Sequence, residues 1–103
     1  MKKVIEGKVY NTATATKLAE YSYGYSSDFS YISEELYLTK KGKYFLAGEG
    51  GPYTCYAERV DSNTYCGGEA IIPMTRREAF EWCQEHDCTE AIDEHFSDLV
   101  EEA

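Results

Sequence analysis

Alternating apolar and polar residues predict a β-hairpin in the first half of the chain. Residues 34–39 and 43–47 alternate with a period of two, the spacing of strands that bury one face. Gly42, in the segment between them, suits the left-handed position of a bulged hairpin turn. Residues 53–60 resume the pattern, and a fourth extended segment ends near Ile72. We therefore predict an antiparallel meander of three or four strands at the centre of the fold.

The N-terminal segment combines a short extended stretch with a helical pattern. Residues 4–10 are typical of extended chain with a turn at Gly7, because apolar residues flank the glycine. Polar capping residues precede residues 13–21, whose apolar positions recur at helical spacing. We expect a short helix there, followed by an irregular loop over residues 22–31.

The last quarter of the chain predicts two helices. Thr75 and Glu78 have the Thr-x-x-Glu spacing of a capping box, in which each side chain satisfies a free backbone N–H group of the first turn. A helix is expected from Arg76 to about His86. Thr89 can cap a second helix with one apolar and one acidic face. The apolar positions of this second helix are Ile92, Phe96, Leu99 and Ala103.

Together these elements predict an α+β fold: a three- to four-stranded antiparallel β-meander with a short N-terminal helix and two C-terminal helices. The 103 residues suffice for a single domain that spans residues 1–103. Apolar residues make up 43% of the chain, which is typical of a globular protein. No apolar run approaches the roughly 18 residues of a membrane span, and no secretion signal is recognisable. We expect a cytoplasmic protein.

Negative charge is concentrated near the C-terminus. The net charge is -9 at pH 7. Residues 1–75 carry nine acidic against eight basic side chains, whereas residues 76–103 carry ten acidic against two basic ones. Nucleic acids and anionic membranes are bound by clustered lysine and arginine, so neither is expected as a direct partner. A basic protein surface is the predicted partner.

The acidic face of the second predicted helix is the first candidate binding site. Glu90 and Glu94 lie one helical turn apart, and Glu101 extends the same stripe. Such a stripe can bind a basic surface, and the alternative is a solvated face that keeps the protein soluble. The candidate residues of this site are Glu90, Asp93, Glu94, Asp98 and Glu101.

Tyrosine residues form a second candidate site. The chain has ten of them, and Tyr21, Tyr23, Tyr25 and Tyr31 lie in or beside the predicted polar loop. Tyrosine offers a large contact area at low entropic cost and is enriched at protein interfaces. We expect Tyr21, Tyr23 and Tyr25 to take part in partner binding, whereas the tyrosines on predicted strands are explained by packing.

Four cysteines are candidate zinc ligands: Cys55, Cys66, Cys83 and Cys88. A structural zinc site needs four thiolate or imidazole ligands, and His86 can substitute for one of the thiolates. The chain has no C-x-x-C pair. The alternative is therefore that the cysteines are free thiols, with Cys83 in the core. A small zinc-binding regulatory or structural module is the second functional hypothesis.

Catalysis is not expected. The glycine-rich segment before Pro52 lacks the following helix and the lysine of a phosphate-binding loop. His86 and His95 stand among acidic residues on predicted helices, and Cys83 or Cys88 could act as a nucleophile only if the fold brought it to a histidine. We interpret the chain as a binding protein.

Five short segments carry a resemblance to known proteins: residues 41–46, 48–51, 56–58, 67–69 and 72–75. They resemble small acidic, mostly uncharacterised proteins of Gram-positive bacteria, their phages and mobile elements. The resemblance implies an accessory protein. Some small acidic proteins of such elements are anti-CRISPR or antirestriction inhibitors, and a few anti-CRISPR proteins bind zinc. A Cas nuclease is the implied partner.

Overall fold

A computed structural model describes residues 1–25 and 27–103. Within them the chain forms eight strands, two α-helices and one short 3₁₀ helix over Ser97–Leu99. The elements follow one another as β1 (Lys2–Ile5), β2 (Lys8–Asn11), β3 (Thr16–Tyr23), β4 (Ile32–Leu38), β5 (Tyr44–Gly50), β6 (Glu58–Arg59), β7 (Tyr65–Cys66), β8 (Gly68–Met74), α1 (Arg76–Glu85) and α2 (Thr89–His95).

The centre of the fold is a four-stranded antiparallel sheet in the order β3–β4–β5–β8. The predicted hairpin is confirmed as β4 and β5, and Gly42 takes the left-handed backbone conformation, with φ of 82°, that its turn requires. Strand β5 then pairs with β8 in the register Leu46↔Ile72. The sheet has one face toward the helices and one toward the N-terminus.

The N-terminal hairpin covers one face of this sheet. Strands β1 and β2 pair with each other, and the turn predicted at Gly7 is confirmed. Both Glu6 and Gly7 have positive φ, as tight hairpin turns of this hand require. Beneath the hairpin lies an aromatic and aliphatic cluster formed by Tyr10, Tyr37, Phe45, Ala47 and Ile71.

The two helices cover the other face. The predicted capping box is confirmed: the Glu78 N–H donates to Thr75 Oγ1 at 3.1 Å, and the Thr75 N–H donates to Glu78 Oε1 at 2.8 Å. Helix α1 therefore begins where the sequence predicts. The core on this side is formed by Leu36, Leu46, Ala79, Phe80, Trp82, Cys83, Ala91 and Phe96.

The predicted N-terminal helix is wrong, because residues 16–23 form strand β3 at the edge of the sheet. Strand β3 has a bulge between Lys17 and Ala19, so the neighbouring residues Leu18 and Ala19 both pack against the helix-side core. Two adjacent apolar residues on one side break the period of two. The resulting spacing imitates a helix, and pairing with β4 overrides the local pattern.

Two other predicted boundaries also need correction. Residues 53–60 are mostly turns, with only Glu58–Arg59 in a strand, and they leave the sheet before the chain returns as β8. The predicted helix from Thr89 to Ala103 ends at His95, followed by the short 3₁₀ helix. Phe96 is nevertheless buried as predicted.

The α+β class and the two C-terminal helices therefore stand, without the N-terminal helix. Most of the regular structure is antiparallel sheet. In the described part of the chain, neither helix has the length and apolar composition needed to cross a bilayer.

Candidate functional site

The acidic C-terminal segment presents most of its carboxylates to solvent. Glu90, Asp93 and Glu94 are exposed on α2, and Glu101 is exposed beyond the 3₁₀ helix. Within the described residues, none of these four carboxylates lies within 4.0 Å of a lysine or arginine nitrogen. Glu94 has His95 as its neighbour, with 3.4 Å between Oε2 and Nε2. The segment therefore carries a negative field that the chain itself leaves largely uncompensated.

Asp98 differs from the other four candidates because it is paired. Its carboxylate accepts two hydrogen bonds from the Arg76 guanidinium, at 2.6 and 2.9 Å, and Arg76 also donates to the His95 carbonyl. This fork lowers the pKa of Asp98 and raises that of Arg76. The same guanidinium lies 5.5 Å from the centre of the Phe96 ring. Asp98 thus fixes the end of the chain to the start of α1.

In the described part of the chain the acids of α2 have no lysine or arginine partner, because both basic side chains of residues 76–103 are at the N-terminus of α1. Arg76 is held by Asp98, and Arg77 lies over the Phe80 ring, 5.4 Å from its centre. Neither reaches the acids of α2. The charge separation predicted from composition is therefore a feature of the folded surface.

The three candidate tyrosines are not equivalent. Tyr23 and Tyr25 are exposed, as a binding role requires. Tyr21 lies on the helix side of β3, where its ring stacks on His86 with 3.9 Å between ring centres. Its partial burial leaves Tyr21 as a packing residue, while the other two remain available to a partner.

The four cysteines are not brought together. Cys55 and Cys66 are exposed, Cys88 is partly buried and Cys83 lies in the core. Among residues 1–25 and 27–103 there is no group of three or more histidine, cysteine or acidic side chains arranged to hold a metal. Burial raises the pKa of the Cys83 thiol to about 11, and it also raises the pKa values of Cys55 and Cys88. All four cysteines are free, and the raised pKa values of Cys55, Cys83 and Cys88 favour the protonated thiol at these three.

A buried carboxylate, Glu34, is the polar centre of the fold. Its side chain faces the helices, and the residue is only 8% exposed. The Tyr56 hydroxyl donates to Oε2 at 2.5 Å, and the Trp82 indole N–H donates to Oε1 at 3.1 Å. His86 Nε2 lies 3.8 Å from Oε1. We call Glu34, Tyr56, Trp82 and His86 the Glu34 cluster.

The sheet register explains how the cluster is assembled. Tyr21, Glu34 and Gly48 are directly opposite one another on β3, β4 and β5. Because Gly48 has no side chain, the Tyr56 ring can lie against the strand: a Cβ at residue 48 would stand 2.0 Å from the Tyr56 hydroxyl oxygen. Burial is the first cause of the raised pKa of Tyr56, and its bond to Glu34 adds to it. Tyr56 therefore keeps its proton and donates a hydrogen bond to the Glu34 carboxylate.

Chemically, the Glu34 cluster is a satisfied network. Both carboxylate oxygens accept a hydrogen bond, and among the described residues no buried side-chain nitrogen or oxygen lacks a partner. Such a network fixes two parts of the chain against the sheet: helix α1 and the loop that precedes β6. The sequence does contain a signal for it, because Glu34 shares its strand face with Ile32 and Leu36 and so falls where an apolar residue is expected.

Comparisons with known proteins add no relative. No protein-family model matches the chain, and no curated protein or solved structure matches it either.

Proposed function

We propose that the protein is an acidic, protein-binding inhibitor whose C-terminal segment binds the basic nucleic-acid channel of a defence nuclease. In this proposal it is an accessory protein of a phage or mobile element that acts as anti-CRISPR inhibitors do. A Cas nuclease is the first target to test. The observation that carries the proposal is a set of exposed carboxylates that have no lysine or arginine partner among the described residues: Glu90, Asp93, Glu94 and Glu101.

The energetics of α2 support a partner of opposite charge. Glu90 and Glu94 are one turn apart, about 6 Å along the helix axis. A like-charge pair at this spacing destabilises a helix by roughly 0.2 to 0.5 kcal/mol. Lysine and arginine side chains that line a nucleic-acid channel would offset this repulsion, and the carboxylates would occupy the positions of phosphates.

The experiment combines capture with inhibition. The immobilised protein is exposed to a bacterial lysate that expresses a guide-loaded Cas nuclease, at low and high salt, and cleavage of target DNA is then measured with increasing inhibitor. We expect capture at low salt, loss of capture at high salt and dose-dependent inhibition, because exposed charges are screened within about 10 Å at 0.1 M salt. A panel of restriction endonucleases extends the same assay.

Matched charge reversals locate the surface. Glu90→Lys with Glu94→Lys should abolish capture and inhibition. Glu6→Lys with Glu20→Lys alters the net charge equally at exposed positions in the N-terminal half and should leave both intact. Equal loss in the two variants would mean that only net charge matters. No loss in either would refute the acidic helix as the binding surface.

A further inference from the structure

A group of exposed aromatic side chains lies at the end of the sheet, away from the N-terminal hairpin turn. Phe29 is 61% exposed, Tyr53 75% and Tyr65 54%, although soluble proteins usually bury such residues. The Phe29 and Tyr53 rings meet edge to face with 5.3 Å between their centres. With Pro52 and Ala57, these rings line a groove of about 720 Å³. We call it the aromatic groove.

A second groove, of about 650 Å³, adjoins the first and is acidic. The two grooves share Phe29 and Pro52, so they form one continuous surface. The charged residues that line the second groove are all acidic: Asp28, Glu49, Glu58 and Glu69.

Two of these carboxylates repel each other by their position in the sheet. Glu49 and Glu69 are register partners on β5 and β8, and like charges directly opposite one another destabilise a sheet. In the described residues, neither they nor Glu58 has a lysine or arginine nitrogen within 4.0 Å. The nearby Arg59 donates its hydrogen bonds to the carbonyls of Asp61 and Ser62. A cation from outside the chain would relieve this repulsion.

Backbone hydrogen bonds hold the walls of the two grooves in place. The Gly51 N–H donates to the Tyr31 carbonyl at 2.8 Å, and the Tyr53 N–H donates to the Phe29 carbonyl at 2.9 Å. The approach is so close that a Cβ at residue 51 would stand 2.5 Å from the Phe29 carbonyl oxygen. A partner would therefore meet a preorganised surface, which lowers the entropic cost of binding.

We propose that this surface binds an extended, arginine-bearing segment of a partner protein. A guanidinium group stacks on aromatic rings and forms paired hydrogen bonds with carboxylates, and the two adjoining grooves offer both kinds of contact. Lysine, a compact and strongly hydrated charge, stacks less well. The surface is separate from the acidic face of α2, and the inference does not rest on the proposed function.

The test is a titration of the ¹⁵N-labelled protein with a short arginine–glycine peptide, followed by NMR. We expect the largest shifts at the amides of Gly50, Gly51 and Gly67. The matching lysine–glycine peptide should bind more weakly, and a glutamate–glycine peptide should not bind. Phe29→Ala with Tyr53→Ala should weaken binding of the arginine peptide roughly tenfold, the loss expected for two exposed cation–π contacts.

Three controls decide the result. Tyr25→Ala removes an exposed tyrosine that lines neither groove and should leave binding unchanged. Glu90→Lys with Glu94→Lys should also leave it unchanged, whatever becomes of nuclease inhibition. Far-ultraviolet circular dichroism checks that each variant folds.

Chemical shift changes confined to residues 76–103, or unchanged affinity in the folded Phe29→Ala, Tyr53→Ala variant, would overturn the proposal. Concentration-dependent broadening of the same amides without any response to peptide would assign the surface to a second copy of the chain and overturn it as well.

Discussion

The two faces of the sheet are covered in different ways. On the helix side, the apolar core surrounds the buried Glu34 cluster, whose hydrogen bonds join a loop and a helix to the sheet. On the hairpin side, the cluster beneath the hairpin is mainly aromatic: Tyr37 stacks on Phe45 with 5.2 Å between ring centres, and Tyr10 meets Phe45 edge on at 5.5 Å.

The two faces show two different ways of attaching a second layer to a sheet. The helix side uses direction-dependent hydrogen bonds that fix one arrangement of loop, helix and strand. The hairpin side uses ring packing, and β1 and β2 form strand pairs only with each other within residues 1–25 and 27–103. We therefore expect the helix side to set global stability and the hairpin to open locally at lower free energy.

The largest expected effect is that of Phe96→Ala. The ring is fully buried and packs against Phe80 and Tyr44. Removal of a buried phenyl ring leaves a cavity and should lower the free energy of unfolding by about 3 to 5 kcal/mol. Urea denaturation followed by tryptophan fluorescence measures it, and Val100→Ala at an exposed position is the control. If Phe96→Ala lowered the free energy of unfolding less than Tyr10→Ala on the hairpin side, the helix side would not be the one that sets global stability.

Next in size is the effect of removing the buried carboxylate. Glu34→Leu leaves the Tyr56 hydroxyl and the Trp82 N–H without an acceptor and should cost about 3 kcal/mol. Glu34→Gln, which keeps one acceptor oxygen, should cost less. Adding Tyr56→Phe to Glu34→Leu should recover part of the loss, because one unsatisfied donor disappears. Denaturant unfolding of these three variants and of Tyr56→Phe alone tests this order, and additive losses in the double variant would exclude the coupling.

A smaller and local effect is expected on the hairpin side. Tyr10→Ala removes the ring that covers Phe45 and should lower the free energy of unfolding by about 2 kcal/mol, because the exposed hairpin can relax into the space. Hydrogen exchange should accelerate in β1 and β2 and stay slow in β4 and β5. Uniform acceleration across the sheet would show that both faces unfold together.

The smallest effect concerns the exposed pair of Arg76 and Asp98. Because the folded state lowers the pKa of Asp98, the stability that the pair contributes is present above the ordinary aspartate pKa and is lost as the pH falls through the lowered value. Asp98→Asn should reduce this acid-dependent loss, most clearly at low salt. Thermal unfolding from neutral to acidic pH measures it. Identical pH profiles for the two proteins would show that the pair is not coupled to folding.

Sequence patterns predicted the elements that carry local signals. The capping box placed the start of α1, and glycines at positive φ marked the turns at Gly7 and Gly42. Strand β3 was missed because its bulge disguises the period, and the register of β5 with β8 depends on contacts distant in sequence. Local patterns do not contain that information.

The candidate site was predictable only in part. Composition located the acidic segment, but it could not show that Arg76 pairs with Asp98 while the acids of α2 have no lysine or arginine partner. It also could not show that Tyr21 faces the helices while Tyr53 and Phe29 face solvent. Which charges and rings remain available to a partner depends on tertiary pairing, which arises only when the chain folds.

The contact of Tyr56 with Gly48 has a consequence for the inheritance of this chain. A side chain at residue 48 and the ring at residue 56 exclude each other, while Glu34 needs the hydroxyl that the ring carries. Replacement of one of the three alone therefore leaves either a steric clash or a buried polar group without its partner. In distant relatives we expect Glu34, Gly48 and Tyr56 to be retained as a set or replaced as a set. Their joint occurrence in a sequence with little other similarity would then indicate this fold.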